Sequence, residues 1–169
     1  MDLGILIARL ILGLAIASHG AQKLFGWFGG YGLDATGSYF ECIGFRPGAL
    51  FALASGACEM VGGILTASGV LGPVGPGLIV LAMLVAILAV HRPNGFFATN
   101  DGIELPLIYL TASLTIAFSG VGTYSVDALL GMGVRPQPSA SWISIGVAVL
   151  LALVTLATRR HAARVQSHA

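Results

Sequence analysis

The chain has 169 residues, of which 56% are hydrophobic and only 9% charged, with a mean hydropathy of +0.91. A soluble domain carries about 25% charged residues, so this composition excludes an ordinary soluble globule and describes an integral membrane protein. Eight Lys and Arg against seven Asp and Glu give a formal charge of +1, and with no basic run beside interleaved aromatics a nucleic-acid partner is excluded as well.

Apolar stretches run over 3–24, 49–71, 74–91, 105–120 and 140–158. Each is close to the ~20 residues that cross ~30 Å of hydrocarbon, so the pattern predicts an all-α bundle of five spanning helices. The third and fourth runs are short, and the fourth contains Thr111, Ser113 and Thr115; four helices with one re-entrant segment is the alternative. The first run has the n-region Met1-Asp2 with no basic cluster, and Ser18-His19-Gly20-Ala21 is a poor cleavage site, so it reads as a retained helix rather than a signal peptide. Gly29-Gly30-Tyr31-Gly32 opens a loop over 25–48, Arg46-Pro47-Gly48 closes it, and Pro136-Gln137-Pro138-Ser139 precedes the last helix. Pro106 falls in the first turn of the fourth helix, where a missing N–H is tolerated. The domain reading is a four-helix bundle over 1–130, a linker over 131–139, an additional helix over 140–158 and a basic tail over 159–169.

With five crossings, the loops 25–48 and 92–104 and the tail share one face, called face A, which carries Lys23, Arg46, Arg92, Arg159, Arg160 and Arg164. The opposite face B has Arg135 and the uncharged turn Gly72-Pro73-Val74-Gly75-Pro76. The positive-inside rule makes face A cytoplasmic and the membrane a cell (inner or plasma) membrane, with the N-terminus outside.

Arg9 and Glu59 are the charged residues deep within the apolar runs. A charge at bilayer depth costs ~3 kcal/mol or more, so such residues face a bundle interior and pair. Arg9 lies ~21 Å along the first helix from Lys23, and Glu59 ~15 Å below Ala49; these depths predict an intramembrane Arg9–Glu59 ion pair. Its role is either to fix helix register or to serve a site. On the first helix His19 and Lys23 share a face, and Gly13, Ala17 and Ala21 form a small-residue packing stripe. His91 ends the third helix and Asn100-Asp101-Gly102-Ile103-Glu104 begins the fourth. His19, Lys23, His91, Asn100 and Glu104 are therefore expected to converge at face A, above Arg9 and Glu59, as a candidate site for a quinone or a partner. Phe25, Trp27 and Phe28 lie beside them as site aromatics or as an interface belt. No pair among these residues has metal-ligand spacing, so no metal is expected. Haem is disfavoured because both His residues sit at an edge. Cys42 and Cys58 form neither a CxxC pair nor a disulfide framework; a redox-sensing Cys42 is the lesser reading.

The runs Arg9-Leu10-Ile11-Leu12-Gly13 and His19-Gly20-Ala21-Gln22-Lys23-Leu24-Phe25-Gly26 resemble the first helix of DoxX-family membrane proteins. The likeness continues in Glu59-Met60-Val61-Gly62-Gly63-Ile64-Leu65, His91, Gly95-Phe96-Phe97, Asn100-Asp101-Gly102-Ile103-Glu104 and Gly122-Thr123-Tyr124-Ser125-Val126-Asp127, and covers residues 5–130. It implies association with membrane redox systems, since thiosulfate:quinone oxidoreductase membrane subunits are related and actinobacterial members are linked to oxidative-stress complexes. Many members resemble four-helix proteins, whereas this chain continues into a fifth helix, which offers a surface for a partner subunit.

The resemblance leads to the expectation of a redox-complex membrane subunit, quinone-linked, with no intrinsic cofactor and with membrane lipid, protein subunits or further copies of itself as partners. Its catalytic residues are unassigned, since no flavin, iron–sulfur or dinucleotide fingerprint is present. The alternatives are a structural or assembly subunit without chemistry of its own and, third, a small-molecule permease.

Overall fold

The computed structural model describes residues 2–133 and 137–160, and among these there is no strand. Seven helices follow in order: α1 (Asp2–Phe25), α2 (Gly32–Cys42), α3 (Gly48–Ser68), α4 (Val74–Ala86), α5 (Glu104–Ser119), α6 (Val126–Leu129) and α7 (Pro138–Ala157). Four helical stretches are long and apolar enough to cross a membrane: α1, α3, α4 with its continuation to Asn94, and α7. The remaining expected span is the 16-residue helix α5, shorter than these four. Arg135 and the tail residues 161–169, including Arg164, lie outside the described residues, as does part of the expected linker.

Glycine sets the contact between α1 and α3. A Cβ on Gly13 would stand 2.5 Å from the Gly63 carbonyl oxygen and 2.6 Å from the Ala67 nitrogen, and one on Gly20 would stand 2.5 Å from the Met60 nitrogen. The backbones of α1 and α3 therefore touch directly along an antiparallel seam, as small residues allow in transmembrane packing. The seam uses Gly13, Ala17 and Gly20. α3 ends on Gly69, whose left-handed backbone (φ 68°) lets its N–H reach the Leu65 carbonyl.

On the other side of this pair, Leu12 and Ile16 of α1 pack with Ile79, Ala82 and Met83 of α4 and Ile116 of α5. A second cluster, Val80, Ala117, Ile145 and Ala148, joins α4 and α5 to α7. At one end of α7, Ser141 Oγ donates to the Ala117 carbonyl (2.6 Å) and Ser144 Oγ to the Pro73 carbonyl (3.0 Å). At its other end Arg159 Nε donates to the Ile43 carbonyl (2.7 Å), and the Arg160 N–H to that of Gly44 (2.9 Å). α7 thus runs from the α3–α4 turn to the α2–α3 link.

The segment expected as the loop 25–48 contains α2. Gly37 is where α2 presses on α3: a Cβ there would stand 3.1 Å from Ala49. Glu41 then accepts the Gly48 N–H at 3.0 Å, satisfying one of the orphan donors at the start of α3. Cys42, expected in a loop, is the exposed last residue of α2.

α4 continues into a π turn at Ile87–His91. The wider turn shifts the phase of the side chains that follow, and Val85, Ala86, Ala89, Val90 and His91 all face one cavity.

Candidate functional site

That cavity, about 590 Å³, lies between α1, α2, the start of α3 and the end of α4. Its polar lining includes His19, Gln22, Lys23, Ser55, Tyr39 and His91, set against apolar walls that include Phe40, Phe45 and Val85. Of the residues expected to converge, it gathers His19, Lys23 and His91. Asn100 and Glu104 do not line it. Glu104 instead accepts the Ala98 N–H at 2.8 Å, tying down the turn before its own helix, and Asn100 belongs to the exposed turn Ala98–Asn100. Phe25, Trp27 and Phe28 are exposed and contact one another, with ring centroids 5.0 and 6.4 Å apart, outside the cavity lining.

Lys23 marks the cavity's inner limit. Its Nζ donates to Glu59 Oε1 at 2.5 Å and to Ser55 Oγ at 3.0 Å. Glu59 is 3% exposed, whereas Lys23 is 29% exposed and reaches the cavity. The second carboxylate oxygen, Oε2, is buried with no hydrogen-bond donor among the described residues.

The expected Arg9–Glu59 ion pair does not form; Glu59 pairs with Lys23. The physical reason is the register of the α1–α3 seam. Gly13 meets Gly63 and Ala67, and Gly20 meets Gly56 and Met60, so Glu59 comes level with the last turns of α1. Arg9 is then ~15 Å further along the seam, ten or eleven residues at ~1.5 Å each. The depth estimate set Lys23 level with Ala49, but α3 begins beyond the end of α1, so Lys23 is level with Ser55 and only about one turn above Glu59.

Arg9 is 1% exposed and sits at the opposite end of the bundle. Its Nη2 donates to the Tyr124 carbonyl at 2.5 Å, and the guanidinium lies against Gly69, where any Cβ would collide with Nη1. Close by, the buried Asp127 accepts the N–H groups of Leu71 (3.1 Å) and Gly72 (2.9 Å), closing the α3–α4 turn. The Gly122–Asp127 segment is therefore the lid on the face-B end, where Thr123 also donates to Asp2 at 2.9 Å.

His91 Nδ1 lies 2.6 Å from the Asp101 carbonyl, which holds the ring at the cavity edge, while His19 Nδ1 lies 3.1 Å from Gln22 Oε1. Sequence reasoning missed Ser55, Gln22 and Tyr39. Ser55 is four residues before Glu59, and that spacing on a helix was a usable signal; Tyr39 gave none, because its segment read as loop. Among the described residues no three His, Cys, Asp or Glu side chains are grouped to hold a metal. The free thiols Cys42 and Cys58 stand apart from the cavity lining.

The DoxX family model matches residues 4–92, just over half of the chain. A protein of Haemophilus influenzae named "Uncharacterized protein" is 28% identical over 85 residues, 50% of this chain and 54% of that protein. The chain thus spans about half the length of this relative. A Bacillus subtilis protein named "Putative oxidoreductase CatD" is 25% identical over 132 residues, 78% of this chain and 90% of that one. No solved structure matches. The matched segment takes in α1 to α4 and every side chain named above in the cavity lining, and on this match the chain belongs to the DoxX family.

Proposed function

We propose that this DoxX-family protein is a membrane subunit of an oxidoreductase assembly whose cavity receives the ring head group of a lipid-soluble quinone or quinol. The observation that carries the reading is the cavity itself. It is ~590 Å³ in size, apolar in its walls and set at the mouth of a helical membrane bundle, with Lys23, His19 and His91 at its edge and floor. Such a volume lies within the range of small-molecule sites, which pair apolar walls with few polar groups. Lys23 and the two His residues would hold the ring oxygens. A bound quinone would supply the electron chemistry, and the chain's residues supply orientation, a dry wall and proton-bearing groups.

Electrons would come from a partner subunit. The name of the Bacillus relative, "Putative oxidoreductase CatD", supports a redox role for the assembly. α5 begins beside the end of α4, where Glu104 N–H bonds the Phe96 carbonyl, and ends where Ser141 of α7 bonds Ala117. This course favours α5 as a fifth crossing. With it, Lys23, Arg46, Arg92, Arg159 and Arg160 share face A, and the positive-inside rule makes that face cytoplasmic in a cell membrane.

Gentle extraction from the native membrane, followed by mass spectrometry of lipids and proteins together, tests the proposal. Quinone co-purifying with a redox protein, and lost from a Lys23→Met variant, is the expected result. A partner complex free of quinone would instead favour an assembly role, and a bare chain would overturn the subunit reading.

A further inference from the structure

We infer that the cavity is built for a hydroxyl-bearing ring, a phenol or hydroquinone head group, and that the Lys23–Glu59 couple takes up its hydroxyl proton. This rests on the reading of the cavity as a head-group site and names the protonation state it selects. Lys23 lines the cavity and bonds the carboxylate, whereas Glu59 is outside the lining and, among the described residues, hydrogen-bonds Lys23 alone. An ammonium has three donors; Glu59 Oε1 and Ser55 Oγ take two, which leaves the third for a ring oxygen.

Glu59 is a buried carboxylate held by one cation, and its Oε2 has no donor among the described residues. Among the described residues the Lys23 ammonium alone balances its charge. An oxyanion arriving on Lys23 competes for that ammonium and tips Glu59 towards its neutral form. The step balances without an oxidant or reductant. Lys23 passes a proton to Glu59 and regains one from the ligand as the O–H bond breaks, so the ligand oxyanion pairs with Lys23 and Glu59 ends as a neutral acid. The charge of the site is unchanged, and the ring is left as the anion, the form that gives up an electron more readily.

The titratable and charged groups on the elements packed around Glu59 are His19 and Lys23 on α1, with Asp2 and Arg9 at its far end, Cys58 on α3, Asp34, Tyr39, Glu41 and Cys42 on α2, and His91 and Arg92 at the end of α4. Among the described residues only Lys23 hydrogen-bonds the carboxylate. Ser55 supports the ammonium from one turn away.

The test uses the full chain in lipid nanodiscs and a 2-alkyl-4-nitrophenol, whose phenolate absorbs in the visible, with its O-methyl ether as control. The phenol is expected to bind at least tenfold more tightly than the ether and to ionise about one pH unit below its transition in protein-free nanodiscs. An infrared difference spectrum should gain a protonated-carboxyl C=O band that is absent in Glu59→Gln. The double variant Lys23→Met/Glu59→Gln, which buries no lone charge, should lose the tenfold preference for phenol over ether, and any phenol it still binds should ionise without the shift. Equal binding of phenol and ether, ionisation without the carboxyl band, or a band that persists in Glu59→Gln would each overturn the inference while leaving a head-group site in place. Binding of neither probe would remove the head-group reading, and this inference with it.

Discussion

Replacing Gly20 by Ala reports on the whole architecture, because that position joins the helix seam to the site. The added methyl would stand 2.5 Å from the Met60 nitrogen, 2.6 Å from the Gly56 oxygen and 2.8 Å from the Met60 Cα. All three are backbone atoms, which cannot rotate away. Carbon contacts settle near ~3.5 Å, so α1 and α3 must part locally by about 1 Å. Overpacking of this kind costs about 1–3 kcal/mol, and the greater helix preference of Ala returns about 0.5–1 kcal/mol. A net loss of about 1–2 kcal/mol is expected. Gly146 on α7 is the control: nothing lies within 4 Å of its Cβ position, so Gly146→Ala should be neutral or stabilising by up to about 1 kcal/mol. Unfolding by SDS in mixed micelles, followed by far-UV circular dichroism and by fluorescence of Trp27 and Trp142, measures both. Gly20 is three residues from Lys23, and Met60 adjoins Glu59, so the parting also stretches the 2.5 Å Lys23–Glu59 contact. Ligand affinity should therefore fall together with stability in Gly20→Ala and stay level in Gly146→Ala. Equal stability of the two variants would refute the seam as the element that sets register.

The Lys23–Glu59 pair should show strong coupling. Lys23→Met strands a buried carboxylate and is expected to cost about 3 kcal/mol, less for the partial exposure of Lys23, while the double change Lys23→Met/Glu59→Gln should cost clearly less than the sum of the singles; additive values in the same SDS titration would contradict this. Asp127→Asn weakens the acceptor for the Leu71 and Gly72 N–H groups and should destabilise the face-B end by about 1–2 kcal/mol, read as faster hydrogen exchange confined to residues 69–72. At face A, burial pushes the Tyr39 hydroxyl above its ordinary value of 10.0, and the Arg159 charge partly offsets this. Because the folded chain holds this proton more tightly, the stabilisation is full below pH 10 and fades as the pH rises through the raised value. The tyrosinate absorbance step lost in Tyr39→Phe should lie above pH 10, and Arg159→Ala should move it higher still.

The spans themselves were legible because a water-soluble fold rarely carries uninterrupted hydrophobic runs of membrane length. α1, α3 and α7 begin and end within a few residues of the apolar stretches, and Pro138 and Gly69 mark termini in the way their backbones require. The polar partners were harder to read. Helical periodicity places His19 and Lys23 on one face, but it carries no information about the offset between two helices. That offset is fixed by Gly13, Gly20, Gly56 and Gly63 in contact, and the resulting register is what separates the expected Arg9–Glu59 pair from the observed Lys23–Glu59 pair. α2 was hidden for a related reason. With Gly32 and Gly37 in eleven residues it has little intrinsic helical preference, and its stability comes from α3, where Gly37 allows close approach and Glu41 caps the next helix. Glu104 and Asn100 sit near the expected end, yet their sequence neighbours claim them first.

The contact between the end of α7 and the α2–α3 link has a consequence for biogenesis. Arg159 lies with its guanidinium carbon 6.0 Å from the centre of the Phe45 ring and bonded to Ile43, and both of those residues line the cavity. These partners are separated by more than one hundred residues, and α7 is the last of the described helices to be synthesised. A nascent chain that has inserted only α1 to α5 therefore holds a cavity whose outer wall is unbraced, so that wall is completed only once α7 has docked, and its closure marks completed insertion.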